Sequence, residues 1–119
     1  MIAHVVLFRP HPHLSEVRRE ALIDAFTIAL REIPTIRQAR VGQRLTHGRA
    51  YESLMRTHYS HIAILEFEDV AGLKTYLEHP AHERLGTLFF DAFAEALIYD
   101  FDLEDPDTGL ASLARESVV

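Results

Sequence analysis

Ile2-Ala3-His4-Val5-Val6-Leu7-Phe8-Arg9 reads as a β-strand that Pro10 ends. Val5 and Val6 are β-branched, and the neighbours are large and apolar. Apart from His4, both faces of the stretch are apolar. A strand with two apolar faces needs cover on both sides, and this requirement decides the fold.

Downstream, Ser15 is placed to cap a helix with Glu16 in its first turn. Val17, Ala21, Leu22, Ala25, Phe26, Ala29 and Ile33 recur at helical spacing, and Pro34 stops the run. Residues 36–45 suit a polar edge strand carrying Arg37, Arg40 and Arg44. Residues 46–58 form a long connection, and 59–67 a strand with Tyr59, His61, Ala63, Leu65 and Phe67 on one face. Asp69 caps a short helix, which breaks at His79 because Pro80 drives the preceding residue out of helical geometry. Pro80 opens another helix, with an apolar stripe expected through Leu85, Leu88, Phe89, Ala92, Phe93 and Ala96. A last strand is expected over 97–103, followed by an acidic tail, 104–119, with a weak Leu110, Leu113 pattern.

The order β-α-β-β-α-α-β is the ferredoxin-like plan of an α+β domain, with helices on one face of an antiparallel sheet. The sheet's other face is left bare, whereas the first strand has no polar face to show water. Two sheets meeting face to face in a homodimer, as a dimeric α/β barrel, resolve the conflict. At 119 residues there is room for one domain, and a 48% hydrophobic content exceeds what one small core hides.

A formal charge of −6, from 18 acidic and 12 basic residues, argues against nucleic acid as a partner, which needs a clustered positive footprint. No stretch approaches the about 20 apolar residues of a membrane span. The short apolar start lacks the charged region and cleavage site of a secretory signal, so a cytoplasmic location is expected. Cysteine is absent, which excludes disulfides, thiolate catalysis and cysteine-ligated zinc. No glycine loop for cradling phosphate is present. His11-Pro12-His13 lacks a nearby carboxylate and reads as an exposed turn. Neither a cofactor nor a metal is expected.

Four stretches resemble the stress-responsive dimeric α/β barrel (Dabb) family: Met1 to Phe8, Tyr59-Ser60-His61, Tyr76-Leu77-Glu78-His79-Pro80-Ala81-His82, and Ile98-Tyr99-Asp100-Phe101. The run from Tyr76 to His82 carries most of the likeness, which spans residues 1–103. The 44–58 connection is longer than the family's usual hairpin. The resemblance implies a ferredoxin-like barrel that dimerises. In a plant polyketide cyclase of this family, a tyrosine and a histidine of this motif act on the substrate. They match Tyr76 and His82, and two further pocket histidines match His4 and His61.

Elementary chemistry gives these residues plausible roles. His82 falls in the first turn of a helix, where the positive end disfavours an imidazolium and lowers its pKa. A neutral imidazole accepts protons at pH 7, and a phenol at Tyr76 can hold a carbonyl or enolate oxygen. Together they suit a cofactor-free cyclase or isomerase acting on a small apolar or aromatic, polyketide-like carbonyl compound. A non-catalytic, stress-responsive ligand-binding dimer and a cofactor-independent monooxygenase are the alternatives. His4 and His61, near the starts of antiparallel neighbours, are expected toward opposite ends of the barrel.

Overall fold

The computed structural model describes residues 1–115. Strand β1 (Ile2–Pro10) is followed by helix α1 (Glu16–Glu32), strand β2 (Gln38–Gln43), a 3₁₀ turn (Ala50–Leu54) and strand β3 (His61–Phe67). Helices α2 (Val70–Glu78) and α3 (Pro80–Ala92), strand β4 (Phe93–Asp102) and helix α4 (Pro106–Arg115) complete the order. The strands form one antiparallel sheet, β2-β3-β1-β4. This is the expected ferredoxin-like α+β plan, and the arginine-bearing β2 is an edge strand.

Alternation on β1 divides the molecule. Ile2, His4, Val6 and Phe8 lie under the helices, none more than 8% exposed. Ala63, Leu65 and Phe67 of β3 continue that layer and meet Ala25, Ala29 and Ile33 from the α1 side and Leu73, Tyr76, Leu85 and Phe89 from α2 and α3. Each large apolar side chain among them, such as Ile33, Leu65 or Phe67, contributes about 1.5–3 kcal/mol by leaving water.

Local signals place the helices. The Ser15 hydroxyl accepts from the Arg18 N–H, and the Asp69 carboxylate from the Gly72 N–H. His79 (φ −72°, ψ 139°) separates α2 from α3, and its ring accepts from the Ala81 N–H, so it caps the helix that Pro80 starts.

One expectation is corrected. Phe93 and Ala96 belong to β4 and not to the preceding helix, so the strand begins four residues earlier than 97. The helical spacing runs on unbroken through Ala92, Phe93 and Ala96, so it cannot locate the end of the helix. Tertiary contacts do: the Ala92 carbonyl accepts from the His11 N–H at 2.9 Å, Pro10 pairs with Phe93, and the Phe93 ring packs 4.2 Å from Phe89 and 4.7 Å from Phe8. The acidic tail, which the sequence leaves open as either frayed or packed on a partner, contains α4 over Pro106–Arg115; its last residues, 116–119, lie outside those described.

The opposite face of the sheet is uncovered. Register sets Val5 beside Ile64 and Tyr99, and Leu7 beside Ile62 and Leu97. Tyr99 and Phe101 are 56% and 51% exposed, leaving a broad apolar face on a molecule this small.

Candidate functional site

An apolar cavity of about 190 Å³ lies between the helices and the sheet, on the covered side and not on the bare face. Val6, Ala63 and Leu65 form its floor, with Phe26, Leu85 and Phe89 on its walls. Its polar groups are His4, Tyr76 and His82. Sequence parity puts His4 there, because it alternates with Val6 and Phe8. The α2–α3 break brings the other two together: Tyr76 sits one turn before His79, and His82 lies in the first turn of α3, two residues after Pro80. Their rings are 4.6 Å apart, and Tyr76 meets the edge of His4 at 5.5 Å.

Each histidine has one ring nitrogen committed. A carbonyl can only accept, so His82 Nδ1–H donates to the Leu77 carbonyl at 3.1 Å, leaving Nε2 as a bare acceptor. His4, 5% exposed, donates Nδ1–H to the Asp100 carboxylate at 2.6 Å. Asp100 completes the cluster and was not singled out among the expected site residues. Its signal was its place in β4, directly opposite His4 in the β1–β4 register.

The protonation states diverge. Burial lowers the pKa of His82, and the neighbouring His4 adds to the lowering, against the Leu77 hydrogen bond and Glu83, which raise it. The direction is that expected from the helix end, but desolvation is the main cause. Burial, with the Asp100 charge second, pushes the Tyr76 phenol up to about 12. At neutral pH the site therefore combines an unprotonated imidazole with an undissociated phenol. Among the described residues no buried side-chain polar atom lacks a partner, and the Tyr76 hydroxyl, outside the hydrogen-bond network of its neighbours, is open to the cavity.

The raised phenol has a measurable consequence. A group with a folded pKa above its unfolded value of 10.0 contributes stability that is full below pH 10.0 and is lost as pH rises through the folded value, about 12. Alkaline titration at the tyrosinate absorbance is expected to show an early phase to which Tyr76 does not contribute, its phenol ionising only near pH 12. Tyr76→Phe should leave that early phase unchanged; its shrinkage would show that Tyr76 titrates normally.

His61 does not join this cluster. It pairs with Phe8 in register while His4 pairs with Leu65, which places the two histidines toward opposite ends of the sheet. His61 stacks on Phe8 at 5.5 Å and hydrogen-bonds Ser60 at 2.8 Å. It lines a second cavity of about 690 Å³ between α1 and the β2 edge, which shares Phe26 with the first. His4 and His61, both expected to line the ligand pocket but toward opposite ends of the barrel, thus line two neighbouring cavities on either side of Phe26. His11 and His13 are exposed. Among the described residues no group of His, Asp and Glu could hold a metal ion, and no helix is long and apolar enough to cross a membrane.

Comparison with known proteins agrees with the fold. The chain is 23% identical over 100 residues to an olivetolic acid cyclase of Cannabis sativa, covering 84% of this chain and 94% of the relative. A hydroxynitrile lyase from Passiflora edulis superposes with a TM-score of 0.71 at 18% identity, covering 87% of this chain and 94% of the other. A dimeric ferredoxin-like protein of unknown function from Thermobifida fusca gives 0.65 at 22% identity, covering 86% and 90%. The family model for the stress responsive A/B barrel domain matches residues 2–103, from the first residue of β1 to just past β4, so this chain is a member of the Dabb family.

Proposed function

We propose that the protein is a cofactor-free enzyme that moves a proton beside the carbonyl of a small apolar or aromatic compound, driving cyclisation or isomerisation. One observation carries the reading: a bare imidazole nitrogen and an undissociated phenol share one apolar cavity. His82 Nε2 takes the α-proton and becomes imidazolium, while the Tyr76 hydroxyl donates to the enolate oxygen that forms. The enolate carbon then attacks a second carbonyl, whose new alkoxide takes the proton back from His82, or the enolate takes that same proton from His82 at another carbon. Asp100 fixes the His4 ring, which in turn flanks Tyr76. Apolar cavities of about 150 Å³ hold benzene, so about 190 Å³ takes a ring with a short substituent. Relatives that carry the names of a cyclase and a lyase support an enzymatic use of this scaffold.

The test is deuterium uptake by NMR, using small aryl ketones and 1,3-diketones in D₂O. The protein should accelerate α-proton exchange, and Tyr76→Phe should lower the rate by about 10²–10³-fold, the loss typical of one oxyanion donor. Ligands that bind with no exchange above buffer would make the protein a binding module instead.

The bare apolar face supports a homodimer closed sheet to sheet, and the Thermobifida fusca relative is described as dimeric. The acidic, cysteine-free composition suits such a dimer in the cytoplasm. Phe101→Asp, which buries a charge within that contact, should convert the dimer to monomers in sedimentation at micromolar protein. A dimer that survives would place the contact elsewhere.

A further inference from the structure

Helix α4 stands off the domain. None of its residues is buried, and the packing that builds the fold joins the strands and α1 to α3. Isolated helices shorter than about 12–15 residues are marginal in water; α4 has 10 residues, with Gly109 inside it. Leu110 and Leu113, one turn apart on one side, are 64% and 66% exposed. A helix of this kind persists only when something covers its apolar stripe. The chain's radius of gyration is 16.3 Å, against about 13.5 Å for a compact domain of this length.

A second segment projects in the same way. Between β2 and β3, Leu45, Leu54 and Met55 are 81%, 73% and 55% exposed. Arg44, Arg49 and Arg56 make the segment basic. Its acidic residue, Glu52, is engaged internally, accepting from the N–H groups of His47 and Gly48. The approach to α4 has the opposite sign, with Glu104, Asp105 and Asp107. The two surfaces are both apolar and oppositely charged.

Within one chain they start from opposite corners of the sheet. The basic segment leaves the β2 edge at the end where Phe8 pairs with His61, and α4 leaves the β4 edge at the end where Ile2 pairs with Asp102. Strand rise and strand spacing put these corners about 25 Å apart. We propose that α4 of one protomer docks its Leu110–Leu113 stripe on the basic 44–58 segment of a second copy, so that each chain clasps its partner outside the sheet contact.

Because the chain has no cysteine, paired cysteines report the contact cleanly. Leu110→Cys mixed with Leu54→Cys is expected to give an interchain disulfide under mild oxidation. Mixed with Val17→Cys, an equally exposed site on α1, it should give several-fold less. Equal yields from the two mixtures would overturn the proposal. Hydrogen exchange supplies an independent reading. Protection of the α4 amides should fall by about tenfold in an Arg49→Glu/Arg56→Glu variant, with β1 and β3 unchanged. Protection that survives the charge reversal, or is absent from the unmodified dimer, would also overturn it.

Discussion

Replacing His82 by alanine is expected to slow α-proton exchange by about 10²–10⁴-fold, the range contributed by a positioned general base. The Leu77 carbonyl holds Nδ1–H, so Nε2 is the nitrogen left free for substrate, and no tautomer change is needed before reaction. The pH dependence follows from the depressed pKa. Burial keeps His82 unprotonated below its ordinary 6.5, so the acid limb of the exchange rate should fall below pH 6.5, and His82→Ala should abolish that limb. Stability has the same sign. A folded pKa below the unfolded one contributes fully above pH 6.5 and is lost as pH falls through the folded value, because the unfolded chain takes up the proton first. An acid limb that persists unchanged in His82→Ala would move the base to another residue, with His4 next in line.

The extent to which this site was legible in the sequence depends on what each residue needed. His4 followed from parity on β1. Tyr76 and His82 followed from a local device, the His79–Pro80 break, which sequence rules describe well because proline acts on its immediate neighbour. Asp100 required the β1–β4 register, a relation across 96 residues that no local pattern encodes. The separation of His61 was half legible. Antiparallel pairing sets His4 and His61 apart, but only the placement of Phe26 shows that each opens on its own cavity. The end of α3 was hidden because Phe89, Phe93 and Ala96 satisfy a helical stripe, while the aromatic contacts of Phe93 with β1 decide for a strand. In the tail, Leu110 and Leu113 were visible as a weak pattern, but they stay exposed among the described residues of α4's own chain.

Phe67→Ala should produce the largest loss of stability, about 3–5 kcal/mol, out of the roughly 5–15 kcal/mol that holds such a domain folded. Phe67 is 0% exposed, the last residue of β3, and its ring lies 5.3 Å from that of Tyr76. Thermal unfolding should shift down by about 10–20 °C, while Phe67→Leu, which retains most of the volume, should lose far less. The position also couples the core to the chemistry. Tyr76 is gripped between Phe67, His4 and His82, so an alanine at 67 removes the support from one side of the phenol without touching its hydroxyl. Exchange by the folded fraction should therefore fall as well, because a catalytic hydroxyl displaced by about 1 Å loses on the order of 10²-fold in rate. Tyr76→Phe makes the converse change: it removes a hydroxyl that opens on the cavity and keeps the ring in the core, so stability should hold while exchange is lost. If Phe67→Ala unfolded the protein more easily yet left exchange by the folded fraction intact, Tyr76 would be positioned by its histidine neighbours alone.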